Sequence, residues 1–270
     1  MLLVEGLQLC FKGYTMSNAF SAATVNATAA TAASYSVGGD IRAVLAGLAA
    51  PRGGWSRLLL CRHGETASNK TKLLQGGAVD TLLNERGHKQ AEQLALSLAA
   101  SHVVVHTIAT SHLSRAIATA DPIAARIPAA LRATHVGLGE MLYGELEGKP
   151  IAEMGETMGL ISKSWREGDT SVRVGGPDGD NPETLLDRAL AALRELSHGL
   201  PEGATMLVVA HSHLNKALLA SLSGAGLSKI HSMPQDNGCL NVIDFNAMTG
   251  ECNVLHVNLQ AESTCGNTSL

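Results

Sequence analysis

The chain has 270 residues, with 20 Lys and Arg against 24 Asp and Glu, a formal net charge of −4 and only 3% aromatic residues. That length supports one large α/β domain or two small ones and buries a sizeable core. No basic run with interleaved aromatics gives a nucleic-acid footprint, and no stretch reaches the ~20 consecutive apolar residues of a membrane-spanning helix. Any anion site is therefore local. The five cysteines are odd in number and scattered, without a Cys-x-x-Cys pair, which fits a reducing compartment better than a disulfide framework.

Residues 1–54 differ from the rest. From Thr15 to Gly39 the chain is Ala, Ser, Thr and Asn without a charge, and it has too few large apolar residues for a core. The segment reads as a low-complexity flexible extension, or as an organelle transit peptide rich in hydroxyl residues and poor in acids. The compartment follows from that choice: cytoplasmic in the first case, an organelle in the second. The domain proper is expected over 55–259, with a polar, frayed tail over 260–270.

The domain opens on a buried strand at about 57–61, Arg57-Leu58-Leu59-Leu60-Cys61, followed by Arg62-His63-Gly64. A strand of this kind delivers a charged pair to its carboxyl end, where open α/β sheets place ligands. The Arg can fork onto an anion and a neutral imidazole can attack phosphorus, while Gly64 lets the backbone turn away. A polar loop over 64–83 contains Asn69, Gln75 and Asp80. A helix is predicted over 84–100, with Asn84 as its cap and Ala91, Leu94, Ala95 and Leu98 as its buried stripe.

A second strand is predicted over 103–109, and Ser111 stands after it. The next helix carries Arg115 in its first turns, where a helix N-terminus favours a phosphate, and Pro122 is expected to bend or end it. Residues 136–148 are Gly-rich and aperiodic, which reads as a loop. In it Glu145 and Glu147 read as solvated or helix-capping. Helices follow over 150–167 and 183–197, and a buried strand over 206–210 presents His211 in parallel with His63. His211-Ser212-His213 invites a zinc reading, but no further ligands can be assigned, and no metal or other cofactor is expected. His213 reads as surface or capping. A helix over 214–223 and two strands over 239–245 and 251–257, joined by a Gly-bearing turn, complete the pattern. The fold class is α/β: a mainly parallel open sheet with helices on both faces and an antiparallel edge hairpin near the C-terminus.

Four motifs in this order resemble the histidine phosphatase superfamily, also called the phosphoglycerate mutase-like family: Arg62-His63-Gly64-Glu65-Thr66, Ser111-x-Leu113-x-Arg115-Ala116, Leu138-Gly139-Glu140 with Tyr143-Gly144 and Glu147-Gly148, and Val208-Val209-Ala210-His211. The resemblance covers roughly 57–257. It implies that His63 is the nucleophile, that Glu140 is the general acid, and that Arg62, Arg115, His211 and Asn69 hold the phosphate. Where the family pattern has Gly after the second His, this chain has Ser212. Trp165-Arg166 is not followed by the Arg and Pro insertion of the mutases, and Gly175 to Glu183 looks like the substrate loop of phosphatase members. The resemblance thus implies a metal-independent phosphatase of a small phosphorylated metabolite. A phosphoglycerate mutase and a non-catalytic binding protein on the same scaffold are the alternatives, and a homo-oligomer is compatible with either.

Overall fold

The computed structural model describes residues 34–261, and the transit-peptide reading of the first 33 residues lies outside them. A single sheet of seven strands runs in the order β1-β7-β6-β2-β5-β3-β4: β1 Ser36–Val37, β2 Ser56–Arg62, β3 Thr107–Thr110, β4 Leu131–Thr134, β5 Thr205–Ala210, β6 Leu240–Phe245 and β7 Cys252–Leu259. β2, β5, β3 and β4 pair in parallel, whereas β6 lies antiparallel to both β2 and β7. The carboxyl ends of β2, β5 and β3 consequently share one rim. β2 and β5 are buried along their length, as parallel strands covered on both faces must be.

The alternation of β2 divides the core. Leu58 and Leu60 face one cluster with Met206 and Val208, packed by α6 (Pro182–Ser197) and α7 (Ser212–Leu222). Leu59 and Cys61 face the other with Leu207 and Val209, packed by α3 (Glu85–Ala100) and α4 (Ser114–Arg126). α3 begins as its sequence predicts: the Asn84 side chain accepts from Gly87 N at 2.9 Å, and Ala91, Leu94, Ala95 and Leu98 are buried. Two further helices are the short α2 (Ala67–Thr71) and α5 (Gly155–Arg166).

Several expectations are corrected. Residues 36–47, assigned by composition to the extension, pack on the sheet: β1 pairs with β7, and α1 (Ile41–Gly47) buries Ile41 and Leu45. The C-terminal hairpin is therefore not the edge of the sheet. Gln260 is also tied in, donating to Gly39 O and accepting from Ile41 N, each at 2.9 Å. The second strand begins at Thr107 and not at 103, because Val104 is exposed while 107–110 lie between β5 and β4. β4, an exposed edge strand of four residues, carries too little apolar alternation to be seen in sequence. Pro122 does not end α4, which continues through it to Arg126. Only one helical hydrogen bond is forfeited by a proline in the third turn, and Arg126 Nη1 caps the Pro122 carbonyl at 3.0 Å.

Candidate active site

The rim brings the two motif histidines together by register. Arg62 pairs with Ala210 across β2 and β5, and His63 N donates to Ala210 O at 3.0 Å, so His63 and His211 leave adjacent strands side by side. Their ring centroids are 5.2 Å apart. His63 is 3% exposed and His211 is fully buried.

Each ring has a defined anchor. His63 Nδ1 lies 2.7 Å from the Gly64 carbonyl, which accepts only, so the proton of the neutral ring sits on Nδ1 and the lone pair on Nε2. His211 Nε2 contacts Ser111 Oγ at 2.7 Å from the end of β3. Its Nδ1 is buried without a partner among the described residues, as is Arg62 Nε. Burial, then Arg62 and Arg115, hold the His63 pKa well below its usual value; burial, then Arg115 and His63, do the same for His211.

Gly64 owes its place to close approach and not to an unusual φ. A Cβ there would lie 2.5 Å from Gly87 O, and one on Gly87 would lie 2.1 Å from Glu65 O. The turn after His63 thus rests directly on the first turn of α3, and the two glycines are a matched pair. Gly64 N is further held by Thr119 Oγ1 at 3.0 Å, and Asn237 Nδ2 and Gly238 N both donate to His63 O at 3.2 Å.

The arginines are fixed from behind. Arg62 Nη1 donates to Gln235 O at 2.6 Å. Arg115, fully buried, donates to Val79 O at 2.9 Å and Gly76 O at 2.7 Å. With its amide oriented to suit both neighbours, Gln75 accepts from Arg115 Nε at 2.7 Å and donates to Thr66 Oγ1 at 2.6 Å. Asp80 lies 3.6 Å from Arg115 and accepts from Ser114 N at 2.9 Å. These two polar loop residues, undecided from sequence, therefore hold Arg115. Asn69 sits beside this group: its Oδ1 accepts from Thr66 N at 3.2 Å, completing the α2 capping box, and from Asn237 Nδ2 at 3.1 Å.

Glu140 lies 8% exposed at the N-terminus of α7. Its carboxylate accepts from Met141 N at 2.9 Å, His213 N at 3.1 Å and Leu214 N at 3.2 Å. The loop that carries it is pinned by Arg188 of α6, which donates to the carbonyls of Gly137, Gly139 and Glu140 at 3.1, 2.6 and 2.8 Å and to Asp180 at 3.0 Å. Glu147 is not solvated as expected. It accepts from Ala78, Val79 and Tyr143 N–H groups at 2.8, 3.0 and 2.9 Å, joining the Glu140 loop to the Arg115 loop. Nor is His213 a surface group: half-buried, it contacts Tyr143 Oη through Nδ1 at 2.6 Å, and burial pushes its pKa down to about 4. Sequence reasoning missed Arg188, Asn237 and Gln235, since a polar residue on a helix or in a turn carries no mark of the carbonyl it serves.

A model of the histidine phosphatase superfamily (branch 1) matches residues 58–258. The chain belongs to this superfamily. It is 31% identical over 196 residues to a 2-carboxy-D-arabinitol-1-phosphatase of Triticum aestivum, a match covering 72% of this chain and 38% of that protein. It is 28% identical over 205 residues to a 2,3-bisphosphoglycerate-dependent phosphoglycerate mutase of Cytophaga hutchinsonii, covering 75% of this chain and 93% of the relative. Among solved structures, a mycobacterial glucosyl-3-phosphoglycerate phosphatase in complex with VO3 superposes with a TM-score of 0.65 at 25% identity, over 76% of this chain and all of that one. The expected α/β fold is the one these structures share. Among the described residues no helix is long and apolar enough to cross a membrane.

Proposed function

We propose that the chain is a phosphomonoester hydrolase that works through a phosphohistidine at His63. The observation that carries this reading is the Nδ1 contact to the Gly64 carbonyl, which leaves the Nε2 lone pair for attack, in a ring that burial and two guanidinium groups keep neutral. The superfamily membership and the phosphatase names of its relatives support the same class.

In this mechanism Nε2 of His63 attacks phosphorus, the P–O ester bond breaks, and Glu140, as general acid, gives a proton to the leaving oxygen. Glu140 then takes a proton from the water that displaces His63 and releases inorganic phosphate. Arg62, Arg115 and His211 hold the equatorial oxygens, a role supported by the unpartnered Arg62 Nε and His211 Nδ1, which are left to donate. Asn69 uses its carbonyl oxygen for structure, which leaves its amide Nδ2 for the phosphate. Ser212 replaces glycine at the start of α7; its N–H remains unused by Glu140, which takes those of His213 and Leu214.

Phosphate release from a panel of small phosphomonoesters in excess EDTA tests the reading. Release that survives EDTA and is lost in His63→Ala is the expected result. Release that needs a metal, or survives His63→Ala, overturns it. The resemblance to the Cytophaga mutase supports a second reading, in which the phosphoryl group returns to substrate; it predicts conversion of 3-phosphoglycerate to its 2-isomer faster than phosphate appears.

A further inference from the structure

Next to Arg62 lies a buried set of side-chain amides that the phosphoryl-transfer steps leave unused. Gln235 and Asn241 form a reciprocal pair: Gln235 Nε2 donates to Asn241 Oδ1 at 2.8 Å, and Asn241 Nδ2 donates to Gln235 Oε1 at 3.1 Å. Asn215 of α7 also donates to Gln235 Oε1, at 3.0 Å, and Gln235 Nε2 donates to the Pro234 carbonyl at 2.6 Å. Asn241 Nδ2 reaches the Leu60 carbonyl of β2 at 2.7 Å, and its Oδ1 accepts from Asn258 N at 2.9 Å. Asn215 and Asn241 are fully buried and Gln235 nearly so. In the pair, both amide N–H groups of each residue are used and each oxygen accepts at least twice.

The sheet departs from regularity at the same place. Val257 and Asn258 of β7 together face the single Asn241 of β6, which makes a bulge, and Asn258 has a φ of +60°. A non-glycine residue in that region persists only where its surroundings hold it, and such residues gather at functional sites. Asn258 is held by Asp236: its Oδ1 accepts from Asp236 N at 2.8 Å, and its Nδ2 donates to Asp236 Oδ2 at 2.9 Å. Net stability is a weak reason for such an arrangement, since each internal hydrogen bond replaces one to water.

The amides hold the loop 234–239, and that loop holds Arg62. The Gln235 carbonyl accepts from Arg62 Nη1 at 2.6 Å, and the Cys239 carbonyl accepts from Arg62 N at 3.1 Å. Asn241 ties the pair to β2 at Leu60, so one amide pair joins the strand that carries the guanidinium to the carbonyl that receives it. Resting on the phosphohydrolase reading above, we propose that Gln235 and Asn241 are positioning residues for Arg62: their amide pair fixes the Gln235 carbonyl against β2 and so sets the direction in which the unpartnered Arg62 Nε donates. The phosphoryl group then meets a guanidinium already in place, without the loss of freedom that ordering a mobile arginine entails.

Nitrogen-15 NMR of arginine-labelled protein observes this directly, with the Arg62 signals assigned by their loss in Arg62→Lys. In the wild type, rotation about the Arg62 Nε–Cζ bond is expected to be slow enough to give separate Nη signals. Gln235→Met, which removes the pair, should merge them and weaken orthovanadate binding about tenfold, the effect of one well-placed charge-assisted contact. Asn215→Ala removes one bond to Gln235 and keeps the pair; it should loosen Arg62 less and weaken vanadate about threefold, and it decides the matter if Gln235→Met does not fold. A merely structural pair would lower the melting temperature and leave both the Arg62 signals and the vanadate affinity unchanged, which overturns the proposal. Merged signals in the wild type, or merging without loss of affinity, overturn it as well. If the variants act as expected while no phosphomonoester is hydrolysed, the positioning stands and the hydrolase reading fails. If phosphate is released and neither variant moves Arg62, the hydrolase reading stands and the positioning fails. Vanadate that does not bind the wild type overturns both.

Discussion

At the scale of the residue, the proposed mechanism turns on the tautomer of His63. Its Nδ1 anchor is a backbone carbonyl, which cannot be titrated or mutated away, so the ring keeps Nε2 free without an acidic partner. Nitrogen-15 NMR of the histidine rings should show His63 neutral and protonated at Nδ1 at pH 6; a charged ring, or an Nε2–H tautomer, contradicts the geometry. His63→Ala should lower turnover by a factor on the order of a thousand or more. Arg188 acts at one remove, through the carbonyls on either side of Glu140. Arg188→Met is expected to lower kcat by roughly ten- to a hundredfold with little change in KM, because it misplaces the proton donor and not the phosphate donors. A KM effect alone would count against that role.

At the scale of elements, the site depends on how closely β2 and α3 meet. Gly64→Ala or Gly87→Ala must push the turn after His63 off the first turn of α3, since each new methyl would lie within 2.5 Å of a backbone oxygen. Either variant should lose activity and about 2 kcal/mol or more of stability in denaturant titration, a cost typical of overpacking. An alanine that behaves as wild type would mean that the two elements separate freely. This pairing also shows what the sequence could and could not disclose. The strands β2 and β5, α3 and the order of the motifs are legible because burial on both faces and the 3.6-residue period leave a direct imprint on residue type. Gly64 and Gly87 are visible as glycines, but their contact is not, because nothing local relates a strand end to a helix start 23 positions later. β4 and α1 escaped for another reason: each is a short element that earns its place by packing on a sheet already formed.

At the scale of the whole molecule, pH acts on stability through its buried and half-buried histidines. Burial lowers the pKa of His63, His211, His213 and His231, so the folded protein refuses protons that the unfolded chain accepts near pH 6.5. With folded values depressed, stability is complete above about 6.5 and falls as the pH drops toward the folded values. For His213, whose folded value is about 4, the loss is about 2 kcal/mol at pH 5. The melting temperature should accordingly fall steadily from pH 7.5 to pH 5; a flat or rising profile would show that these rings take up protons in the folded state. The N-terminal boundary is a second property of the whole. Removing residues 1–33 and removing residues 1–54 should differ, since only the second deletion strips Ile41 and Leu45 from the core, each worth about 2–3 kcal/mol.

The central claim is that a covalent bond forms between phosphorus and Nε2 of His63. Rapid mixing with a phosphorus-32-labelled phosphomonoester, followed by an alkaline quench and peptide mapping, tests it most directly. The predicted result is an acid-labile, alkali-stable label on the peptide containing His63, absent from His63→Ala and chased by unlabelled substrate. Turnover without any such label, or a label on another residue that chases at the catalytic rate, would contradict the account.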